Sequence, residues 1–284
     1  MIIVLWILFV LCCFYLFLIA PRVPRRLLKG LAGLYAHRGL WNEERPENSL
    51  PAFRAAVAAG YGIETDVHIT RDDQLVVFHD DSLKRMCRDG RNLPDCTLAE
   101  LRQLRLKDTD ETIPTFDEFL DAAGRKVPLV IEIKTDKRIT LLCEKVNERL
   151  SRYPGPYCIE SFDPRAVRWY KKHRPDVIRG QLTFGLVKPS KMPKTPITRL
   201  LASQIGNALG RPDFMACEHE TDHSLPLCLV RLYRPHLAAW TIRSQEEMDK
   251  AKERYEILIF EKFVPDEHRE EVALTTFAQV GGRR

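Results

Sequence analysis

The chain has 284 residues, of which 45% are hydrophobic and 29% charged, and its formal net charge is +5. This composition excludes a disordered chain, a collagen-like fibre and a many-pass membrane protein. The basic excess is too mild to indicate nucleic-acid binding, and no basic stripe carries interspersed aromatics, so we expect no nucleic-acid partner. The length fits one domain or at most two.

Residues 2–20 form an uninterrupted apolar stretch without a charge. At about 1.5 Å per residue, a helix of this length spans the roughly 30 Å hydrocarbon core of a bilayer. A signal peptide is the alternative, but no Lys or Arg precedes the stretch, and basic residues follow it instead. We therefore predict a single membrane anchor and a basic linker over residues 21–33. The positive-inside rule places the rest of the chain in the cytosol.

The eight cysteines include no CxxC pair, so no zinc-ribbon or thioredoxin-like motif is present. Most of them have apolar neighbours, which favours reduced, buried thiols over disulfides. The cysteines thus agree with a reducing compartment.

After the anchor, predicted strands alternate with predicted helices. Helical patterns cover 49–59, 114–124, 139–153, 163–173 and 244–254. Strand patterns cover 34–39, 62–69, 74–80, 127–134, 156–161, 177–182, 214–218, 236–241 and 255–262.

This alternation predicts a parallel sheet, and eight strands closed into a TIM-type (β/α)8 barrel fit residues 34–268. The ninth strand, 74–80, is predicted to form a hairpin with 62–69. Residues 81–115 are polar and irregular and are interpreted as an insertion, and 269–284 as a C-terminal tail. An open doubly wound sheet is the alternative, but its glycine-rich GxGxxG turn is absent.

Period-two alternation places charged residues on one face of two of these strands. Glu64, Asp66 and His68 share a face of one strand, and Glu132 and Lys134 share a face of another. In a barrel the apolar face packs on the helices, so the charged face points into the mouth, where charges need partners or a metal. Exposed faces with surface ion pairs are the alternative. Carboxylate oxygens suit a hard cation, so Glu64, Asp66 and Glu132 predict a site for one divalent cation, Mg²⁺ or Ca²⁺.

Two histidines stand at the ends of predicted strands. His37 is followed by Arg38, and His79 by Asp80. Histidines beside a metal site can serve as general acid and general base. The other histidines are expected to be structural or solvated, except that His68 faces the metal side.

Several short motifs follow one another in a characteristic order. They are His37-Arg38-Gly39, Pro46-Glu47-Asn48-Ser49, Glu64-Thr65-Asp66-Val67, His79-Asp80 and Ile131-Glu132-Ile133-Lys134. In this order and spacing the sequence resembles the glycerophosphodiester phosphodiesterase family. Ser161-Phe162 and Trp240-Thr241 are similar to later motifs of that family. The last strand departs from the family's usual Ile-Thr-Asp ending, and we assign no site role to Glu261.

The resemblance implies a TIM-type barrel with a small insertion. It also implies a reaction in which the glycerol 2-hydroxyl attacks phosphorus and expels the alcohol, after which water opens the cyclic phosphate. The implied roles are metal ligation by Glu64, Asp66 and Glu132, acid–base catalysis by His37 and His79, and phosphate binding by Arg38 and Lys134.

Three further positions have more than one interpretation. Glu47 and Asn48 either cap the following helix or approach the site, where Glu47 holds substrate or orients Arg38. Trp240 either stacks on substrate or belongs to the core.

The predicted function is metal-dependent hydrolysis of glycerophosphodiesters or of lysophospholipids, the latter as a lysophospholipase D. The products are glycerol 3-phosphate or lysophosphatidic acid and an alcohol, and the partners are this small-molecule substrate and the lipid bilayer. The alternatives are a catalytically silent barrel that binds phospholipid head groups and a sphingomyelinase D-like phosphodiesterase. The basic segment 188–211 is either an amphipathic segment on the bilayer or an ordinary helix packed on the barrel.

Overall fold

Nine strands form one sheet in the computed structural model, which describes residues 1–22, 30–185 and 195–266. Eight of them are parallel and close into a barrel through β1 and β2, and β3 pairs antiparallel with β2. This confirms the predicted TIM-type barrel and the hairpin position of the ninth strand. The strands are β1 Gly33–His37, β2 Gly62–Ile69, β3 Leu75–Val77, β4 Leu129–Ile133, β5 Tyr157–Ser161, β6 Arg179–Thr183, β7 Phe214–Glu218, β8 His236–Ile242 and β9 Ile257–Phe260.

Some sequence predictions fall on residues outside these ranges. They are the linker over 23–29, the part of the basic segment before residue 195, the end of the predicted barrel from 267, and the tail 269–284.

Helices surround the barrel, and capping residues set their bounds. Ser49 caps α2, and the reciprocal pair of Thr115 and Glu118 forms a capping box at the start of α5. Gly124 ends α5 in the left-handed conformation. The helices are α1 Ile2–Ile19, α2 Leu50–Ala58, α3 Lys84–Cys87, α4 Leu98–Leu101, α5 Phe116–Ala123, α6 Ile139–Leu150, α7 Pro164–His173, α8 Pro196–Ala202, α9 Asn207–Gly210, α10 Leu225–Arg231 and α11 Gln245–Lys252.

The segment between β3 and α5 is more ordered than its polar sequence indicates. Helices α3 and α4 and the 3₁₀ turn Leu93–Asp95 enclose a small apolar core of their own. This core fixes α3 beside the carboxyl end of β3. Its buried members are Val76, Phe78, Leu83, Met86, Leu93, Cys96, Leu101, Leu106 and Ile113.

Alternating side chains divide the barrel strands between two environments. Outward residues such as Ile63, Ile131 and Ile159 pack against the helices, and inward residues fill the lumen. Apolar side chains occupy the lower lumen, whereas the register Asp66–Glu132–Glu160 aligns carboxylates across β2, β4 and β5. All eight cysteines are free; four are buried, namely Cys96, Cys143, Cys158 and Cys217.

Within the described residues, α1 is the one helix long and apolar enough to cross a bilayer. Its side chains are exposed over most of its length, and Ile19 at its end is buried against the barrel. The helix has the length and composition of a membrane anchor or a signal sequence.

Asp222 joins α10 to the chain before β9 through a buried carboxylate. It accepts hydrogen bonds from Arg231 and from the Tyr255 hydroxyl. Burial opposes its ionisation, but these bonds outweigh burial and hold the Asp222 pKa below its usual value. We expect Asp222→Asn to lower the free energy of unfolding at pH 7 by about 3 kcal/mol, because Arg231 loses its buried partner.

The pH dependence of this effect has a definite sign. Since the folded-state pKa lies below the value of about 3.9 in unfolded chains, the stabilisation is present above that pH. It is lost as the pH falls through the folded-state pKa, so the difference between Asp222→Asn and wild type shrinks in acid. Urea unfolding in detergent at several pH values measures it. Asp121→Asn, at an exposed position of α5, is the control, and a pH-independent difference would contradict the assignment.

Candidate active site

Three carboxylates meet at the barrel mouth. Glu64 and Asp66 on β2 and Glu132 on β4 are buried, and their oxygens lie within 4.8 Å of one another. The Lys134 ammonium lies 3.2 Å from Asp66 Oδ1 and 2.9 Å from Glu132 Oε1. The structure thus brings together the carboxylates that strand parity selects from the sequence.

The charges within this cluster favour the binding of a cation. Burial raises the pKa of Glu64, and the neighbouring Asp66 raises it further. Burial also raises the pKa of Glu132, against the opposing effect of Lys134. The pKa of Asp66 is lowered because Lys134 and other nearby cations outweigh its burial. Crowded, buried carboxylates that repel one another fit a hard divalent cation with oxygen ligands.

His37 ends β1, where one carboxylate holds its ring and a second lies near the opposite nitrogen. Its Nδ1 lies 2.6 Å from Glu261 Oε2, and its Nε2 lies 3.8 Å from Glu64 Oε2. Burial, reinforced by the charge of Arg38, lowers the His37 pKa to about 4, so the ring is neutral at pH 7. Because a carboxylate only accepts, the Nδ1–H donates to Glu261, and Nε2 keeps its lone pair facing the cluster.

His79 follows β3 and is held by its neighbour. Its Nδ1 lies 2.6 Å from Asp80 Oδ1, and Arg85 Nε donates to Asp80 Oδ2 at 2.6 Å. These bonds outweigh burial and hold the Asp80 pKa well below its usual value. His68 lies beneath, with its Nε2 3.3 Å from the His79 carbonyl oxygen.

Arg38 points into the site from a left-handed backbone conformation, with φ of 60°. Its Nη1 donates to Glu47 Oε1 at 2.7 Å, and its backbone N–H donates to Glu64 Oε2 at 3.2 Å. Its Nε is buried and makes no hydrogen bond. Arg85 donates hydrogen bonds to both carboxylate oxygens of Glu47, from Nη1 at 2.8 Å and from Nη2 at 2.7 Å. The Glu47 carboxylate therefore lies between two guanidinium groups, and one Arg38 donor remains directed at the site.

Asn48 contacts the site rather than the helix that follows it. Its side-chain Nδ2 donates to Asp66 Oδ2 at 2.9 Å, and its Oδ1 accepts from the Thr65 hydroxyl at 2.9 Å. The cap of α2 is the next residue, Ser49. Gly39 has a φ of +82°, and a Cβ there would lie 2.8 Å from the backbone of Ala52. Only glycine therefore lets α2 begin so close to the end of β1.

Aromatic side chains line one side of the mouth. The Phe162 ring lies 5.7 Å from Trp240 and 6.1 Å from Phe184. The Trp240 indole donates to the Ala216 carbonyl at 3.0 Å and remains partly exposed. Trp240 thus belongs to the core and to the rim of the mouth at once.

Three residues at the site are not predicted from the sequence. Glu261, for which no site role is predicted, orients His37 through the hydrogen bond to Nδ1, and its inward-facing position directly after β9 is a signal that identifies it. The same parity on β5 identifies Glu160, which is buried with one oxygen unpaired, and whose pKa burial and Glu132 raise well above its usual value. Arg85 lies in the irregular insertion, where no periodic signal exists.

A TIM barrel with histidines, Arg and Lys side chains and clustered carboxylates at the carboxyl ends of its strands is typical of a hydrolase that acts on phosphate esters. The sequence matches the glycerophosphoryl diester phosphodiesterase family over residues 37–256, and the chain belongs to this family. It is thus an enzyme that hydrolyses glycerophosphodiesters.

Individual relatives agree with this assignment. The chain is 36% identical over 172 residues to a glycerophosphodiester phosphodiesterase of Caldanaerobacter subterraneus, covering 55% of this chain and 69% of that protein. It is 33% identical over 142 residues to human lysophospholipase D GDPD1, covering 45% of this chain and 44% of the human protein.

The fold is similar to that of an Oleispira antarctica phosphodiesterase solved with the product sn-glycerol-3-phosphate. The TM-score is 0.69 at 21% sequence identity, over 86% of this chain and 98% of that chain. At this identity the likeness concerns the fold.

Proposed function

We propose that the hydrolysis depends on one divalent cation, Mg²⁺ or Ca²⁺, held by Glu64, Asp66 and Glu132. The observation that carries this proposal is the convergence of three buried carboxylates with oxygens within 4.8 Å of one another. When bound, such a cation supplies Lewis-acid stabilisation of the charge that develops on the phosphate oxygens.

His37 and His79 are proposed as the acid–base pair. His37 is suited to act first as base, because its ring is neutral and its Nε2 faces the carboxylate cluster while Glu261 holds Nδ1. It takes the proton of the attacking glycerol 2-hydroxyl. His79, oriented by Asp80, then protonates the departing alcohol. In the second half the roles reverse, and His79 takes a proton from water as the cyclic phosphate opens.

The remaining predicted residues bind and position the substrate. Arg38 and Lys134 contribute positive charge to the phosphate; Arg38 Nε makes no hydrogen bond and lies 3.6 Å from Asp66 Oδ2. Glu47 holds Arg38 in this orientation rather than contacting substrate. Trp240 offers an apolar wall for the substrate, together with Phe162.

Arg85 is proposed to position both halves of this machinery, since one guanidinium contacts Glu47 and Asp80. We expect Arg85→Met to lower kcat for glycerophosphocholine by about 10- to 100-fold, by loosening Arg38 and His79 together. Arg85→Lys should restore only part of kcat, because the lysine ammonium keeps the charge but lacks the planar set of donors with which the guanidinium contacts two carboxylates at once. Steady-state kinetics measure kcat and KM separately.

The control for this series is Arg88→Met, in the same helix region. Arg88 is exposed and pairs with Asp108, away from the mouth. A kcat that falls equally in Arg88→Met and Arg85→Met would assign the loss to the insertion as a whole.

The helix α1 is proposed to be a retained single-pass anchor, with the barrel on the cytosolic face. Its apolar length and the basic residues after it support this topology. The anchor and the lysophospholipase D relative both support lysophospholipids as substrates beside soluble glycerophosphodiesters. Protease protection of a C-terminal tag in membrane vesicles tests the orientation.

Head-group release from glycerophosphocholine and lysophosphatidylcholine tests the function. The full-length protein in detergent is assayed with Mg²⁺, with Ca²⁺ and with EDTA. Release that requires a divalent cation, with glycerol 3-phosphate or lysophosphatidic acid as product, supports the proposal. A stable cyclic phosphate as the final product would favour the sphingomyelinase D-like alternative, and no release under any condition would favour a head-group-binding barrel.

A further inference from the structure

Exposed apolar side chains cluster on one side of the described barrel. Outside α1, the large hydrophobic residues that are exposed in residues 30–185 and 195–266 all lie on α8, α9 and α10 or directly after α10. They are between 41% and 71% exposed. These residues, which we call the α8–α10 face, are Ile197, Leu200, Leu209, Leu225 and Leu232.

The segments that carry these residues contain no acidic side chain. The stretches 195–212 and 224–235 contain neither Asp nor Glu, although the chain has 39 acidic residues. Arg199 and Arg234 are exposed within them. Apolar side chains interspersed with unopposed cations complement a surface of anionic lipid head groups.

This face adjoins the apolar helix α1. Asn207, Arg211 and Tyr233 donate side-chain hydrogen bonds at 2.6 to 2.9 Å to backbone carbonyls at the end of α1. The guanidinium of Arg211 also lies 4.6 Å from the centre of the Phe17 ring. These carbonyls have no partner within the helix, so α9 and α10 complete its carboxyl end and hold the barrel in a fixed relation to it.

We propose that the α8–α10 face lies in the interfacial region of the bilayer that α1 spans. The proposal rests on the proposed function of α1 as a retained anchor. The last turn of a spanning helix reaches the head groups, and at about 1.5 Å per residue its final four residues extend only about 6 Å. Helices α9 and α10 are bonded to that turn, and the Tyr15 hydroxyl of α1 donates at 3.0 Å to the carbonyl of Ser203, which ends α8. The three helices therefore lie at interfacial depth, where exposed leucines are buried in lipid rather than left in water.

The experiment measures lipid contact at single positions of the full-length chain. The accessible cysteines Cys12, Cys13, Cys87 and Cys228 are replaced by serine. Single cysteines are then introduced as Leu200→Cys, Leu225→Cys, Asp117→Cys and Val10→Cys and labelled with an environment-sensitive fluorophore. The proteins are reconstituted into phosphatidylcholine–phosphatidylglycerol vesicles, with and without lipids that carry a nitroxide on the acyl chain.

Asp117 is the matched control, because it is exposed on α5, which lies across the barrel from α10. We expect quenching of the labels at positions 200 and 225 to be at least about threefold stronger than at position 117. Equal quenching at the three positions, with strong quenching of Val10→Cys, would overturn the proposed contact and leave the anchor intact. A label at Val10→Cys that is not quenched would overturn the anchor, and the proposed face with it.

Discussion

We expect His37→Gln to lower kcat for glycerophosphocholine hydrolysis by about 10²- to 10⁴-fold, the usual contribution of a general acid or base. The amide of glutamine can still donate to Glu261, but it has no basic nitrogen to replace Nε2. The neutral ring, its orientation by Glu261 at 2.6 Å and its position beside Glu64 all concern proton transfer rather than binding. Steady-state kinetics at a saturating divalent cation should therefore show a loss in kcat with a smaller change in KM.

Two further variants make this result specific. His173→Gln alters an exposed histidine on α7 and should leave kcat unchanged. Glu261→Gln keeps an acceptor for Nδ1–H but removes the charge, so we expect a smaller loss than in His37→Gln. Wild-type kcat in His37→Gln would show that another group removes the proton of the attacking hydroxyl.

The fold was predictable because its signals are local. Strands such as β4, with its β-branched run, and helices such as α5, between a capping box and Gly124, are specified within a few residues. Alternation between strands and helices then leaves few topologies. The ordered insertion was not predicted, because its small core depends on contacts between separate short helices.

Strand parity on β2 and β4 made part of the site predictable. Parity selected Glu64, Asp66 and Glu132, and the parallel register brings their strands together. Parity along β9 also points Glu261 inward, but its role was missed because its partner His37 lies 224 residues away, and the contact exists only when β9 closes the barrel onto β1. Arg85 was missed because nothing local distinguishes it from the other arginines around it.

Asp66→Asn should abolish the binding of the proposed cation and reduce activity to near the limit of detection. Asp66 is fully buried and is held in its charged form by Lys134 and Arg38. An amide removes the one negative charge that these two cations share, so Lys134 keeps only Glu132 and Arg38 only Glu47 as close carboxylate partners. The pocket then has one negative charge fewer to attract a divalent cation. We expect the loss of affinity to exceed the about 10- to 100-fold that follows loss of a residue that only orients a ligand. Calorimetric titration of Mg²⁺ and Ca²⁺ into EDTA-treated, full-length protein measures it without an assay of turnover.

A second group of potential ligands on the barrel rim provides the control. His219, Glu220 and Glu247 also place ligand atoms within 4.8 Å of one another, but Glu220 is exposed. Glu220→Gln should retain both cation binding and activity, because an exposed carboxylate gains little by ligating a cation that water solvates well. If Asp66→Asn instead keeps the tight site and Glu220→Gln loses it, the cation binds at the rim. The buried carboxylates would then serve to hold Lys134 and Arg38 in place for the phosphate.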